Sequence, residues 1–211
     1  MALEPLNNYV GGKWVPSSAT SFLDVHNPAR GTVIARTPMS TAADVDAAVT
    51  AAAAAYPAWS ETPPVVRARA MFRFKALLDE HAEAIARQVT AEHGKTLSEA
   101  RGSVLRGIEC VEVACGAPSM LMGYGLENIA SGVDCQVMRQ PLGVVAAITP
   151  WNFPVILLSW KLAPAFLAGN TVVAKPSPFT PLSTLMAAEA LREVLPAGVL
   201  NVISGGNDLG A

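Results

Sequence analysis

Charged residues are scarce in this chain. Only 15% of its 211 residues are Asp, Glu, Lys or Arg, and the formal charge is −2. Without a basic patch or an acidic tail, nothing suits a polyanion, so no nucleic acid partner is expected. Cysteine is sparse as well: Cys110, Cys115 and Cys135 are an odd number without metal-type spacing. No metal site is expected, and a reduced cytoplasmic compartment fits better than a disulfide framework. No apolar run reaches the ~18 residues of a membrane span, and the N-terminus lacks the pattern of a secretory signal. His26, His81 and His93 adjoin no nucleophile pattern. Gly205-Gly206 follows an apolar run, but no GxGxxG completes it. No Tyr-x-x-x-Lys pair occurs among Tyr9, Tyr56 and Tyr124, which sets aside a small reductase.

What is present is apolar. Hydrophobic residues make up 51% of the chain, enough for a large core in one or two domains. So few charges suit a chain that hides surface in an oligomer or against further sequence. The organising stretch is Leu142 to Ile203. Leu142–Thr149 reads as a strand buried on both faces, as in a parallel sheet. Val155–Ala168 has helical length and closes at Gly169-Asn170. Thr171–Lys175 is a second buried strand, Pro176–Pro181 a rigid turn, Leu182–Leu195 another helix, and Val199–Ile203 a third strand. Strand, helix, strand, helix, strand is half of a Rossmann-like unit, an α/β fold with a parallel sheet flanked by helices.

Before it, Asn8–Trp14, Phe22–Pro28 and Thr32–Pro38 read as short strands. Thr41 and Asp44 have capping-box spacing ahead of an Ala-rich helix that Pro57 is expected to end. Pro63-Pro64 opens a helix carrying Met71, Phe74, Leu77, Leu78 and Ile85 at helical spacing. Gly94 breaks it, and a third helix follows from Leu97 to Cys115. Met120–Asp134 reads as irregular, and Cys135–Pro141 as an alternating strand. The organisation expected is 1–123 as an N-terminal part, 124–141 as an oligomerisation arm, and 142–211 as the Rossmann-like part.

In such sheets ligands bind beyond the carboxyl ends of the strands. Asn152 and Lys175 sit there. Asn152, on a loop stiffened by Pro150 and Pro154, can aim its carboxamide at a fixed point as an oxyanion donor; its plain alternative is a cap for the following helix. Lys175 ends a buried strand, where a cation needs an anion or water. A nucleotide ribose or phosphate is the partner to expect, and a snorkelling surface lysine the alternative. Trp151 could flank a ring or merely pack. The three cysteines read as structural thiols.

These residues resemble a known family. Thr149-Pro-Trp-Asn-Phe-Pro154, Ala168-Gly-Asn170, Val172-Val-Ala-Lys-Pro-Ser177 and Pro196-Ala-Gly-Val-Leu-Asn201, in this order and spacing, resemble the NAD(P)-dependent aldehyde dehydrogenases. Tyr9-Val-Gly-Gly-Lys-Trp14, Asn27-Pro28 and Glu92-His-Gly-Lys-Thr96 fit the same family. The resemblance implies that Asn152 stabilises a thiohemiacetal oxyanion, that Lys175 contacts the adenosine ribose or its 2′-phosphate, and that Ile148, Thr149, Pro150 and Trp151 line the cofactor. Strict NAD users of the family usually carry Glu where this chain has Pro178, after Ser177. Loss of that carboxylate leaves both NAD and NADP open. Glu92-His-Gly-Lys95, Arg106-Gly-Ile-Glu-Cys110-Val-Glu112 and Gly116-Ala-Pro118 are most similar to the methylmalonate-semialdehyde dehydrogenase branch, which makes an acyl-CoA. Arg106 would then help hold a substrate carboxylate, with a helix-surface arginine as the alternative. Trp151 and the Lys175-Pro-Ser-Pro-Phe179 turn resemble a general aldehyde oxidiser instead.

The resemblance also implies parts that the 211 residues lack: a cysteine nucleophile, a glutamate base in Glu-Leu-Gly-Gly, and a Gly-x-Thr-x-x-Gly helix start. The expectation is the N-terminal, cofactor-binding portion of an enzyme that oxidises an aldehyde with NAD or NADP, and with CoA if an acyl-CoA is the product. The intact enzyme would be a homodimer or homotetramer. The chain alone is expected to be inactive. The alternative is a non-catalytic fragment that binds nucleotide or associates with subunits.

Overall fold

A computed structural model describes residues 3–210. Two short strands, β1 (Asn8–Val10) and β2 (Lys13–Val15), form a hairpin about Gly11 and Gly12, both at positive φ. A second antiparallel pair follows, β3 (Phe22–Asn27) and β4 (Thr32–Pro38). Three long helices come next: α1 (Ala42–Glu61), α2 (Pro64–His93) and α3 (Leu97–Cys115), with a one-turn α4 (Ala117–Met120). A third antiparallel pair, β5 (Tyr124–Ala130) and β6 (Val133–Val137), precedes the alternating half: β7 (Val144–Ile148), α5 (Pro154–Leu167), β8 (Thr171–Lys175), α6 (Leu182–Arg192) and β9 (Leu200–Val202).

The main sheet runs β2-β1-β9-β8-β7, with β7, β8 and β9 parallel and β1 antiparallel to β9. The first strands therefore join the same sheet as the last. On one face α1 packs Ala48 and Ala52 against Val173 and Ile203. The other face meets α5 and α6, and α2 and α3 pack over those helices to complete the principal core.

Local sequence explains the long helices. On α2, Met71, Phe74, Leu78, Ile85 and Val89 recur every three to seven residues along one face, and all are buried. Gly94 stops the helix at φ 89, where its N–H donates to the Thr90 carbonyl, a left-handed end that glycine adopts without steric cost. At the start of α3, the Thr96 N–H donates to the Glu99 carboxylate at 2.9 Å and the Glu99 N–H to the Thr96 hydroxyl at 3.3 Å, a reciprocal box. Thr41 and Asp44 share the first half of that arrangement at α1, at 2.8 Å.

Four expectations need correction. Pro57 does not end α1, which continues to Glu61. Beyond the proline, Trp59 is buried and its indole N–H donates to the Phe166 carbonyl at 3.1 Å, so tertiary packing holds the last turn. The helix stops at Thr62, extended before Pro63, as a residue preceding proline prefers. Residues 120–134 are not irregular, because Tyr124–Ala130 pairs with Val133–Val137. The run to Leu195 overshoots α6, which ends at Arg192, since Leu195 precedes Pro196. Finally, β7 is not buried on both faces. It lies at the sheet edge, and α1 does not reach far enough to cover Val144, Ala146 and Ile148, all exposed on that side.

Candidate active site

The site grows from the carboxyl ends of the parallel strands. The Asn170 carboxamide accepts from Leu142 N–H at 2.7 Å and Gly143 N–H at 3.0 Å, which fixes where β7 starts. At its other end, Thr149 N–H donates to the Lys175 carbonyl at 3.1 Å, so the loop leaves β7 in register with the end of β8. Thr180 then ties the loop from the far side, its hydroxyl donating to the Trp151 carbonyl at 3.4 Å.

Asn152 stands exposed on this loop, and its carboxamide makes no hydrogen bond among the described residues. The N-cap position of α5 is Phe153, so Asn152 is not the helix cap. Its backbone carbonyl is held instead. Lys95 Nζ donates to it at 3.0 Å while sitting 4.6 Å from the Phe153 ring centroid. The loop is thus fixed by its main chain and leaves the carboxamide free.

Lys175 is buried at 6% exposure, which excludes the snorkelling surface lysine. Its ammonium donates to the Gly205 carbonyl at 3.1 Å and more weakly to Pro176 at 3.4 Å. Three donors against two carbonyls leave one N–H for a ligand. Burial lowers its pKa, and nearby Asp208 opposes that shift. Ile148 is the register partner of Lys175, so the two side chains leave the sheet on the same face, and Ile148 is 46% exposed there. Thr149, the next residue, is buried, its hydroxyl without a partner among the described residues. An apolar rim, one spare ammonium donor and an unpaired hydroxyl at strand ends fit a nucleotide. Ser177 is turned inward, its hydroxyl accepting from Phe179 N–H at 3.3 Å, and the Pro178 carbonyl accepts from the Thr37 hydroxyl at 2.9 Å. That turn is docked on β4. Pro150 is exposed. Trp151 points into a separate cleft of about 680 Å³, its ring centroid 5.5 Å from that of His93.

On the other side of the loop lies an apolar groove of about 880 Å³ between α3, α4 and α5. Phe153, next to Asn152, lines it together with Val113, Met120, Leu157 and Trp160. Arg106, Glu109 and Cys110 also face it, and Arg106 Nη1 meets Glu109 Oε2 at 2.7 Å. Neither helical thiol is activated. Burial pushes Cys110 up, only partly offset by the Trp160 indole, and burial raises Cys115 as well. Cys135 lies away on the β5–β6 hairpin. Among the described residues, no group of three His, Cys, Asp or Glu could hold a metal ion, and no helix is long and apolar enough to cross a membrane.

The model of the aldehyde dehydrogenase family matches residues 14–211. The chain belongs to the aldehyde dehydrogenase family. Among its relatives, malonate-semialdehyde dehydrogenase 1 of Geobacillus kaustophilus is 50% identical over 205 residues, 97% of this chain and 42% of that protein. Methylmalonate-semialdehyde dehydrogenase of Oceanimonas doudoroffii superposes with a TM-score of 0.94 at 43% identity, over 98% of this chain and 42% of that one. A Sinorhizobium meliloti chain described as a methylmalonate-semialdehyde dehydrogenase, solved with NAD, gives a TM-score of 0.95 at 36% identity, covering 99% of this chain and 43% of that one. This family member therefore spans roughly two-fifths of the length of these relatives.

Sequence reasoning missed two residues that shape the site. Lys95 was visible only as part of a motif, because its contact with the Asn152 carbonyl joins positions 57 residues apart, and that with the Phe153 ring is no nearer in sequence. Glu92 is buried and accepts from the N–H groups of Leu182 and Ser183 and from the Ser183 hydroxyl, capping α6 from a distant helix. No local signal pairs these positions.

Proposed function

We propose that these residues form the cofactor-binding portion of an NAD(P)-dependent aldehyde dehydrogenase whose substrate is a semialdehyde bearing a carboxylate. The carrying observation is the free carboxamide of Asn152, on a loop held by main-chain contacts just beyond the carboxyl end of β7 and next to Phe153, which lines the apolar groove. Asn152 would donate to the oxyanion formed when a cysteine, supplied by sequence outside these 211 residues, adds to the aldehyde. One such donor is worth on the order of 10²–10³ in rate. When bound, the nicotinamide accepts hydride. Lys175 and Thr149 would hold the nucleotide, with Ile148 and Pro150 around it and Trp151 contributing main chain only, because its ring lies in the separate cleft beside His93; Ser177 and Pro178 shape the turn beneath. With no carboxylate at position 178, NADP as well as NAD is accommodated. Arg106, at the groove wall, would hold the substrate carboxylate, and the thioester would pass to water or CoA.

The exposed β5–β6 hairpin, with Leu126, Ile129 and Val133 more than half exposed, favours a second role for 124–141 as the arm of a homodimer or homotetramer. A non-catalytic subunit-interaction fragment would use that same arm.

Calorimetric titration of the 211-residue protein with NAD and NADP, and of its Lys175→Ala variant, tests the cofactor assignment. Binding of either nucleotide, weakened at least tenfold by the variant, supports it; unchanged affinity removes Lys175 from the site. The same protein should produce no NAD(P)H from an aldehyde panel with or without CoA. Robust turnover would make Cys110, Cys115 or Cys135 a nucleophile and would overturn these roles.

A further inference from the structure

The groove between α3, α4 and α5 is apolar along nearly its whole wall, and two charges interrupt it. Arg106 and Glu109 both line it, one helical turn apart on α3, joined at 2.7 Å. We propose that Glu109 sets how tightly the groove holds an anionic substrate, as a displaceable counter-ion occupying Arg106 until an aldehyde with an anionic far end takes its place. This deepens the functional reading above and rests on it, because it takes the groove as the path of the aldehyde.

A lone guanidinium in an apolar wall would capture any passing anion, and a lone carboxylate would repel the anionic substrate. Paired, they leave the wall without net charge, so an uncharged aldehyde meets no field. The pair is also weakly held. The Arg106 and Glu109 side chains are 67% and 46% exposed, and they meet through a single contact at i,i+3 spacing; such solvated helix-surface pairs contribute little. Among the described residues Arg106 makes no other hydrogen bond, so most of its five donors remain for a ligand. A carboxylate entering between the apolar walls can take two of them in a fork that Glu109 does not make. Glu109 stays nearby as a competitor. It lowers affinity for the anionic end and so lets the acid product leave.

The test uses the 211-residue protein with two stable ligands of similar size, 3-hydroxypropanoate and its methyl ester. Binding is followed by NMR through the Arg106 side-chain and Trp160 indole signals, with circular dichroism as the folding control. Glu109→Gln should tighten the acid about fivefold, the factor that corresponds to the upper end for an exposed ion pair, and leave the ester unchanged. Arg106→Gln should abolish the preference for acid over ester. Equal acid affinity in wild type and Glu109→Gln, or equal tightening of acid and ester, overturns the counter-ion role while the functional reading stands. If Arg106→Gln binds the acid as wild type does, the groove does not seat a carboxylate at Arg106, and that part of the functional reading falls with the proposal.

Discussion

Asn152 stands on a loop that keeps its shape without it. Since its side chain has no hydrogen bond among the described residues and Phe153 occupies the cap position, Asn152→Ala should change stability by less than about 0.5 kcal/mol. Thermal denaturation checks this; the loss of about 1 kcal/mol typical of a removed cap would make the carboxamide structural. Glu92 is the opposite case. Burial raises its carboxyl to about 7, only partly offset by the donors on Ser183 and Leu182. The folded state thus retains a proton that the unfolded chain releases above its ordinary value of 4.5. The stability from this group is full at low pH and declines as pH rises from about 4.5 to about 7, by on the order of 3 kcal/mol at most. The melting temperature should fall across that window, and Glu92→Gln should flatten the profile. An unchanged slope would show that Glu92 is ionised throughout. Asn152 and Lys175 were legible in the sequence because alternating strands and helices announce where strands end. Glu92 was not, since its donors follow 90 residues later.

At the scale of elements, α1 shows how packing overrides a local rule. Proline inside a helix removes a hydrogen bond and crowds the preceding turn, yet the turn beyond Pro57 persists because Trp59 is anchored on Phe166. Trp59→Phe keeps the ring volume roughly but deletes the donor, leaving a buried carbonyl unpaired; it should cost about 1–3 kcal/mol. Faster amide exchange confined to 58–62 would be its signature, and uniform exchange would place the anchor elsewhere. Most elements were readable: β4, β8, α2 and α3 end where Pro38, Lys175, Gly94 and Cys115 suggested. β5 was not. Its glycine and its mixture of polar and apolar residues carry no alternating face to read, because all seven residues are exposed and no core imposes a period of two.

The whole molecule carries more apolar surface than its few charges can mask. Leu142, Met138, Met122, Val113 and Tyr124 are each about two-thirds or more exposed, and β7 offers an unpaired edge beside them. Such edges and patches recruit other chains. Light scattering should find the 211-residue protein self-associated, and Leu126→Lys with Ile129→Lys should reduce that association; a monodisperse wild-type monomer would refute it. The excess of hydrophobic residues made uncovered surface legible in advance, but its place at the hairpin and at β7 depends on strand order, which no local pattern encodes. The same order has a consequence for how the protein is made. Tyr9 in β1 pairs with Val202 in β9, so a strand synthesised early waits for a partner that follows nearly two hundred residues later. At roughly 5–20 residues per second that interval is on the order of 10–40 s. For its duration the β1–β2 hairpin, too short to persist alone, is a newborn segment in need of shelter.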